Sequence, residues 1–205
     1  MLRATGVVLL MLLTVCAWPA QFTVDADDVG KRVFPLNGVN AGPGHVKGYP
    51  GMKLTTQYEQ MGIPLVRTHD YYGPSDFSNI FFNDWNADPY DHSNYDFSDT
   101  DAVIEEAEEA GCEVMFRLGE SWYQLDPHNQ IPPDFGAVAH VCKHIAKHYG
   151  ADRCTPYRCR IRLWEIWNEP NHSMFWDQNI DPDLDKFYGL YAVVAKHLKG
   201  KFPHI

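Results

Sequence analysis

Short apolar runs alternate along this chain with longer amphipathic stretches, the pattern of strand–helix units laid on a parallel sheet. Val33 to Asn40 reads as a first strand, and the Gly38, Gly42, Pro43, Gly44 cluster as a tight connection after it. Leu54, Tyr58 and Met61 recur at helical spacing and stop at Gly62, and Pro64 then precedes a second strand, Leu65 to Thr68. A further helix, capped by Ser98 or Asp99, carries Glu105, Glu106, Glu108 and Glu109 on a face expected to be solvated, and ends at Gly111. Glu113 to Leu118 is a third strand. Pro133 to Tyr149 is an amphipathic helix with Phe135, Val138, Cys142, Ile145 and Tyr149 in one stripe. His140, His144 and His148 fall opposite that stripe, where interleaved Lys143 and Lys147 predict a solvated basic face rather than a metal site. A fourth strand holds Leu163, Trp164, Ile166 and Trp167, and Pro170, which has no N–H to donate, is expected to end it just after Glu169. One more helical stretch closes the chain.

The connection from Tyr71 to Phe97 is far longer than an ordinary strand–helix loop. Its aromatic density (Tyr71, Tyr72, Phe77, Phe81, Phe82, Trp85, Tyr90, Tyr95, Phe97) predicts a packed cover over the strand ends, not a linker. At the other extreme, residues 1–20 are expected to stand outside the fold as a secretory signal, with Arg3 as basic start and Val7 to Val15 as a short apolar core. Cleavage after Ala17 or Ala20 suits that reading, and Val15 before Cys16 argues against a lipoprotein site. A secreted chain of residues 21–205 is the expectation, with an extracellular or lysosomal-type lumen as destination. Four cysteines remain in it. Cys154 and Cys159 are the preferred disulfide, while Cys112 and Cys142 read as buried thiols.

A formal net charge of −10 over 205 residues disfavours nucleic acid and anionic membrane as partners. The informative chemistry lies at the strand ends. Arg162 to Trp176 (RLWEIWNEPNHSMFW) places Glu169 where an apolar strand stops, flanked by Asn168, Trp167 and Trp176, a setting that suits a sugar-binding acid. Arg67, His69 and Asp70 sit at the end of the second strand, and His45 follows the first connection within reach of a substrate hydroxyl. His69 and Asp70 lack further ligands at fixed spacing, so no metal or cofactor is expected. Glu120, after the third strand, is a second strand-end carboxylate able to bind substrate, and Trp122 follows it. Counting alternate residues back from Glu169 turns Glu165 to the interior side of its strand, where Arg67 or Arg117 is expected to pair with it.

The run WEIWNEPN with Phe175 and Trp176 resembles the acid/base motif of clan A retaining glycoside hydrolases, and more narrowly of glycoside hydrolase family 39. VRTHDYYGPSD (Val66 to Asp76) and PLNGVNAGPGH (Pro35 to His45) are similar to that family's second and first barrel strands. The resemblance implies an α/β fold, a (β/α)8 barrel present to about its first four units over residues 21–205. It implies Glu169 as acid/base and Asn168 as ligand of the sugar 2-hydroxyl. Arg67 is then the arginine that supports a catalytic carboxylate or, equally, one paired with an interior acid. His45, His69, Trp122 and Trp176 are carried as further substrate-binding candidates. The expected substrate is a carbohydrate, a glycoside of a pentose or uronic acid. The family's nucleophile comes from a seventh strand, beyond residue 205, so this segment alone is expected to be inactive. A non-catalytic carbohydrate-binding or degenerate product is the rival reading. Asn171-His172-Ser173 is formally a glycosylation sequon but is expected to be unused, since a glycan there would crowd the site.

Overall fold

A computed structural model describes residues 37–44, 52–71, 73–81, 87–121, 131–151, 161–203 and 205. Every described residue belongs to one compact unit, Pro35–Ile205. The signal segment, His45, Trp122, Cys154 and Cys159 lie outside the described residues.

Four strands, β1 (Val39–Asn40), β2 (Leu65–Arg67), β3 (Glu113–Leu118) and β4 (Leu163–Ile166), form one parallel sheet in the order β1-β2-β3-β4. Strand order follows chain order, so each crossover advances the sheet in one direction. The helices are α1 (Thr55–Met61), the short α2 (Phe77–Ile80), α3 (Ser98–Glu109), α4 (Phe135–Ala146) and α5 (Asp185–Lys201). Among the described residues no helix is long and apolar enough to cross a membrane.

Register sorts the side chains into two faces. Val66 pairs with Val114, Phe116 with Trp164 and Leu118 with Ile166, and this face packs into the apolar core with Val103 and Ile104 of α3 and Val138, Val141 and Ile145 of α4. The intervening positions, Arg67 beside Met115 and Arg117 beside Glu165, turn the other way, because successive side chains in a strand alternate. A polar second face on a parallel sheet is unusual, since such sheets are ordinarily covered on both sides.

Helix ends follow local chemistry. α1 stops at Gly62 (φ 60°) and α3 is followed by Gly111 (φ 76°), the left-handed closure glycine tolerates. Asp134 caps α4 through Gly136 N–H and Ala137 N–H at 2.7 and 3.2 Å. The cap expected of Ser98 or Asp99 is not made: Phe97 stands at the N-cap position without a side-chain bond, and Asp96 just before it accepts from Ser98 N–H at 2.9 Å. β4 ends at Ile166 rather than after Glu169. Trp167 N–H still donates to Leu118 C=O at 2.7 Å, but Trp167 (φ 70°) and Glu169 (φ 38°) take left-handed backbone, a costly conformation for large side chains.

Two faces expected to be solvated are so only in part: Glu105 and Glu109 are exposed and Glu108 half-buried, while other side chains on these faces are covered. Glu106 is only 7% exposed; Thr55 Oγ1 donates to it at 2.6 Å and Lys53 pairs with it, tying α3 to the start of α1. The histidines of α4 pack against the long connection: His140 stacks on Tyr90 at 3.8 Å and His144 on Tyr95 at 4.0 Å between ring centroids. His148 lies 3.8 Å from Phe97 in the same way. Flat imidazoles bury well against aromatic rings, which outweighs the polarity that suggested a wet face. Cys112 and Cys142 are buried free thiols, as read from the sequence.

Candidate active site

The C-terminal ends of β1, β2 and β4 converge on a cleft of about 790 Å³ lined by Asn40, Arg67, His69, Asp70, Glu165, Asn168, Glu169, His172, Met174 and Phe175. Arg67, His69, Asn168 and Glu169 are thus brought together from two segments a hundred residues apart, as their strand-end positions required.

Arg67 organises the floor. Its Nε and Nη2 donate to the two oxygens of Glu165 at 2.6 and 2.7 Å, a fork-to-fork pair. Nη2 also donates to Asn168 Oδ1 at 2.7 Å, and Nη1 to Asn40 Oδ1 at 3.2 Å. The pairing expected of Glu165 is therefore present, with Arg67 rather than Arg117. Arg117 instead lies fully buried against Asp76 and Ser121.

Asn168 is almost wholly buried, and its Nδ2 has no hydrogen-bond partner among the described residues. Because a guanidinium only donates, its bond to Asn168 must fall on Oδ1, which leaves the amide N–H₂ as the free end. Glu169 follows on the open side of the cleft, its carboxylate exposed. Its carbonyl accepts from His172 N–H at 2.8 Å, a turn that anchors the backbone while the side chain stays accessible.

His69 is 6% exposed, with Nε2 3.3 Å from Asp70 Oδ1 and Nδ1 unpartnered. Burial, then the charges of Arg117 and Arg67, push its pKa down to about 3, so the ring is neutral at ordinary pH and can serve as a hydrogen-bonding group but not a cation. Asp70 is held on its other oxygen by Asn40 Nδ2 at 3.0 Å.

Two sequence candidates leave the site. Trp176 is 0% exposed; its indole N–H donates to Asp181 at 2.9 Å, and its ring meets Trp167 and Phe187 edge-on at 5.4 and 5.6 Å. Asp181 in turn accepts from Lys186 and Phe187 N–H, so Trp176 is the buried anchor of the start of α5, and Phe175 lines the cleft in its place. Glu120 is buried and accepts from Ser78 N–H and hydroxyl at 2.8 Å each. Burial, reinforced by the Asp76 charge, raises its pKa well above the usual carboxylate range, which makes it an internal acid rather than a substrate contact. Asn40 had no individual sequence signal as a cleft residue, being simply the last residue of a strand, and Phe175 was marked only as part of the motif while its neighbour Trp176 was carried as the substrate-binding candidate.

No protein-family model matches the chain. Over 68 residues, 33% of its length, it is 32% identical to a β-xylosidase of Geobacillus stearothermophilus, a stretch that makes up 12% of that protein. Its fold is similar to that of a glucosidase from Croceicoccus marinus, with a TM-score of 0.66 at 22% identity over 82% of this chain and 35% of that one. The matched stretches thus cover 12% of the β-xylosidase and 35% of the glucosidase, far less than either whole protein. The likeness is to glycosidases, in sequence over a third of the chain and in fold over most of it.

Proposed function

We propose that this chain is an acid/base-bearing part of a retaining glycoside hydrolase of the family 39 kind, its four strands an arc of a (β/α)8 barrel, acting on a pentoside or uronide after secretion. Glu169 is the group that protonates the departing glycosidic oxygen and later activates water. Asn168 binds the sugar 2-hydroxyl, Arg67 holds that asparagine, and His69 lines the subsite as a neutral hydrogen-bonding ring. The observation that supports this best is the junction of an exposed carboxylate with a buried, unpartnered amide donor on adjacent residues at the strand ends. A sugar ring offers the acceptor such a donor lacks, in the position where a carboxylic acid can reach its glycosidic oxygen. Retention requires a second carboxylate about 5 to 5.5 Å from the first, as nucleophile on the anomeric carbon.

The test is Glu169→Gln in the intact protein that carries this chain, assayed on 4-nitrophenyl β-xyloside, 4-nitrophenyl α-L-iduronide and the corresponding alkyl glycosides. Aryl substrates, whose leaving groups need little proton help, should lose least. Added azide should restore turnover and give a glycosyl azide of retained configuration. Equal losses on aryl and alkyl substrates, with no azide rescue, would remove Glu169 from this role. Sugar binding without turnover in the unsubstituted protein would favour the non-catalytic carbohydrate-binding reading.

A further inference from the structure

We infer that Glu165 is a positioning residue for substrate recognition, setting the orientation of the Asn168 amide through Arg67. The inference rests on the reading of Asn168 as the ligand of the 2-hydroxyl.

Arg67 and Glu165 keep 26% and 31% of their side chains exposed, and an ion pair that open to water adds little stability. Its geometry is nonetheless fully specified. Both carboxylate oxygens are used, at 2.6 and 2.7 Å, and the Nη2 that reaches Glu165 is the same atom that reaches Asn168 Oδ1. A guanidinium is planar, so fixing its Nε–Nη2 edge on Glu165 fixes the direction of the remaining Nη2–H. That hydrogen selects Oδ1 of Asn168 and points Nδ2 away from Arg67, with no other partner to hold it. Strand register supplies the reach: Arg67 is level with Met115, Met115 with Leu163, and Glu165 lies two residues further, on the same face and nearer the cleft. Without Glu165, the arginine is free to turn to Asp70 or to Glu169 itself, both of which line the cleft, and the amide loses the contact that decides which end faces the sugar.

The test compares hydrolysis of 4-nitrophenyl β-xyloside with that of its 2-deoxy analogue in the intact protein, for Glu165→Gln, Asn168→Ala and the double variant, each checked for an unchanged thermal melt. Arg67→Lys, which keeps charge but loses the fork, is the second probe should Glu165→Gln fold poorly. Glu165→Gln should lower kcat/KM about tenfold on the 2-hydroxy substrate and leave the 2-deoxy analogue almost untouched. Added to Asn168→Ala it should cost little more, because both act on one contact. Equal losses on the two substrates, or full additivity with Asn168→Ala, would overturn the positioning role of Glu165. Failure of Asn168→Ala itself to discriminate between them would overturn the reading of Asn168 and this inference with it. No hydrolysis of either compound by the unsubstituted protein would count against both.

Discussion

Phe97 lies flat on the imidazole of His148, their centroids 3.8 Å apart and their planes 6° from parallel, while His148 Nε2 sits 2.8 Å from Asp101 Oδ1. One helical turn earlier Tyr95 covers His144 in the same way, 12° from parallel. This row of ring pairs joins the β2–α3 connection to α4 and half-buries histidines that the sequence pattern had turned outward.

Acid should therefore weaken the fold. Burial, and then the charges of His92, His140, Lys147 and His148, bring the His144 pKa down to about 4, and His69 is held at about 3. An unfolded histidine takes up its proton near pH 6.5, so below that value the unfolded chain binds protons that the folded one refuses. Their contribution is fully present above about pH 6.5 and declines as the pH falls toward 4 and then 3. Melting temperatures across that range should show the decline, and His144→Phe, which keeps a ring against Tyr95, should make it shallower.

Glu120 has the opposite sign. Its raised pKa means the folded state keeps a proton that the unfolded chain releases, so its contribution is complete below the ordinary glutamate value and is lost as the pH rises past it. Glu120→Gln cannot ionise and still offers an acceptor to Ser78 N–H. Melts at alkaline pH should show this variant at least as stable as the parent, with a flatter pH dependence.

Removing Trp176 should cost fold rather than specificity. Trp176→Ala empties a fully buried site and leaves Asp181 without its indole donor, a loss of about 3–5 kcal/mol by denaturant titration. Trp176→Phe should recover part of that loss and, in the intact protein with the proposed glycosidase activity, leave the ratio of activities on different aryl glycosides unchanged. A changed ratio would return this residue to the proposed sugar site.

Gly42 is required by a single neighbour. A β-carbon there would overlap the hydroxyl oxygen of Tyr71, a ring 1% exposed and unable to swing aside. Gly42→Ala should destabilise by about 1–3 kcal/mol, the usual cost of overpacking. Tyr71→Phe in the same chain should recover much of it, read as a non-additive double-variant cycle.

Local pattern determined what depends on neighbours in sequence. β3 occupies the residues its apolar run marks, α1 and α3 close at Gly62 and Gly111, and alternation along β4 places Glu165 on the face where Arg67 meets it. The strand-end positions of Arg67, His69, Asn168 and Glu169 were legible for the same reason, since a parallel sheet gathers its C-terminal ends on one edge.

Tertiary contacts decided the rest. Trp176 in sequence is an aromatic beside a candidate acid, and only the packing of Trp167, Phe187 and Asp181 around it makes it core. The histidines of α4, Glu106 and Glu120 carry polar side chains whose covering rests on partners 42 to 51 residues away, a distance over which no periodicity speaks. The early end of β4 at Ile166 belongs with these. Trp167 leaves the extended conformation for a left-handed turn because its indole is drawn into contact with Phe77, Trp176 and the Phe175 carbonyl, and that burial outweighs a backbone preference the sequence alone would have followed.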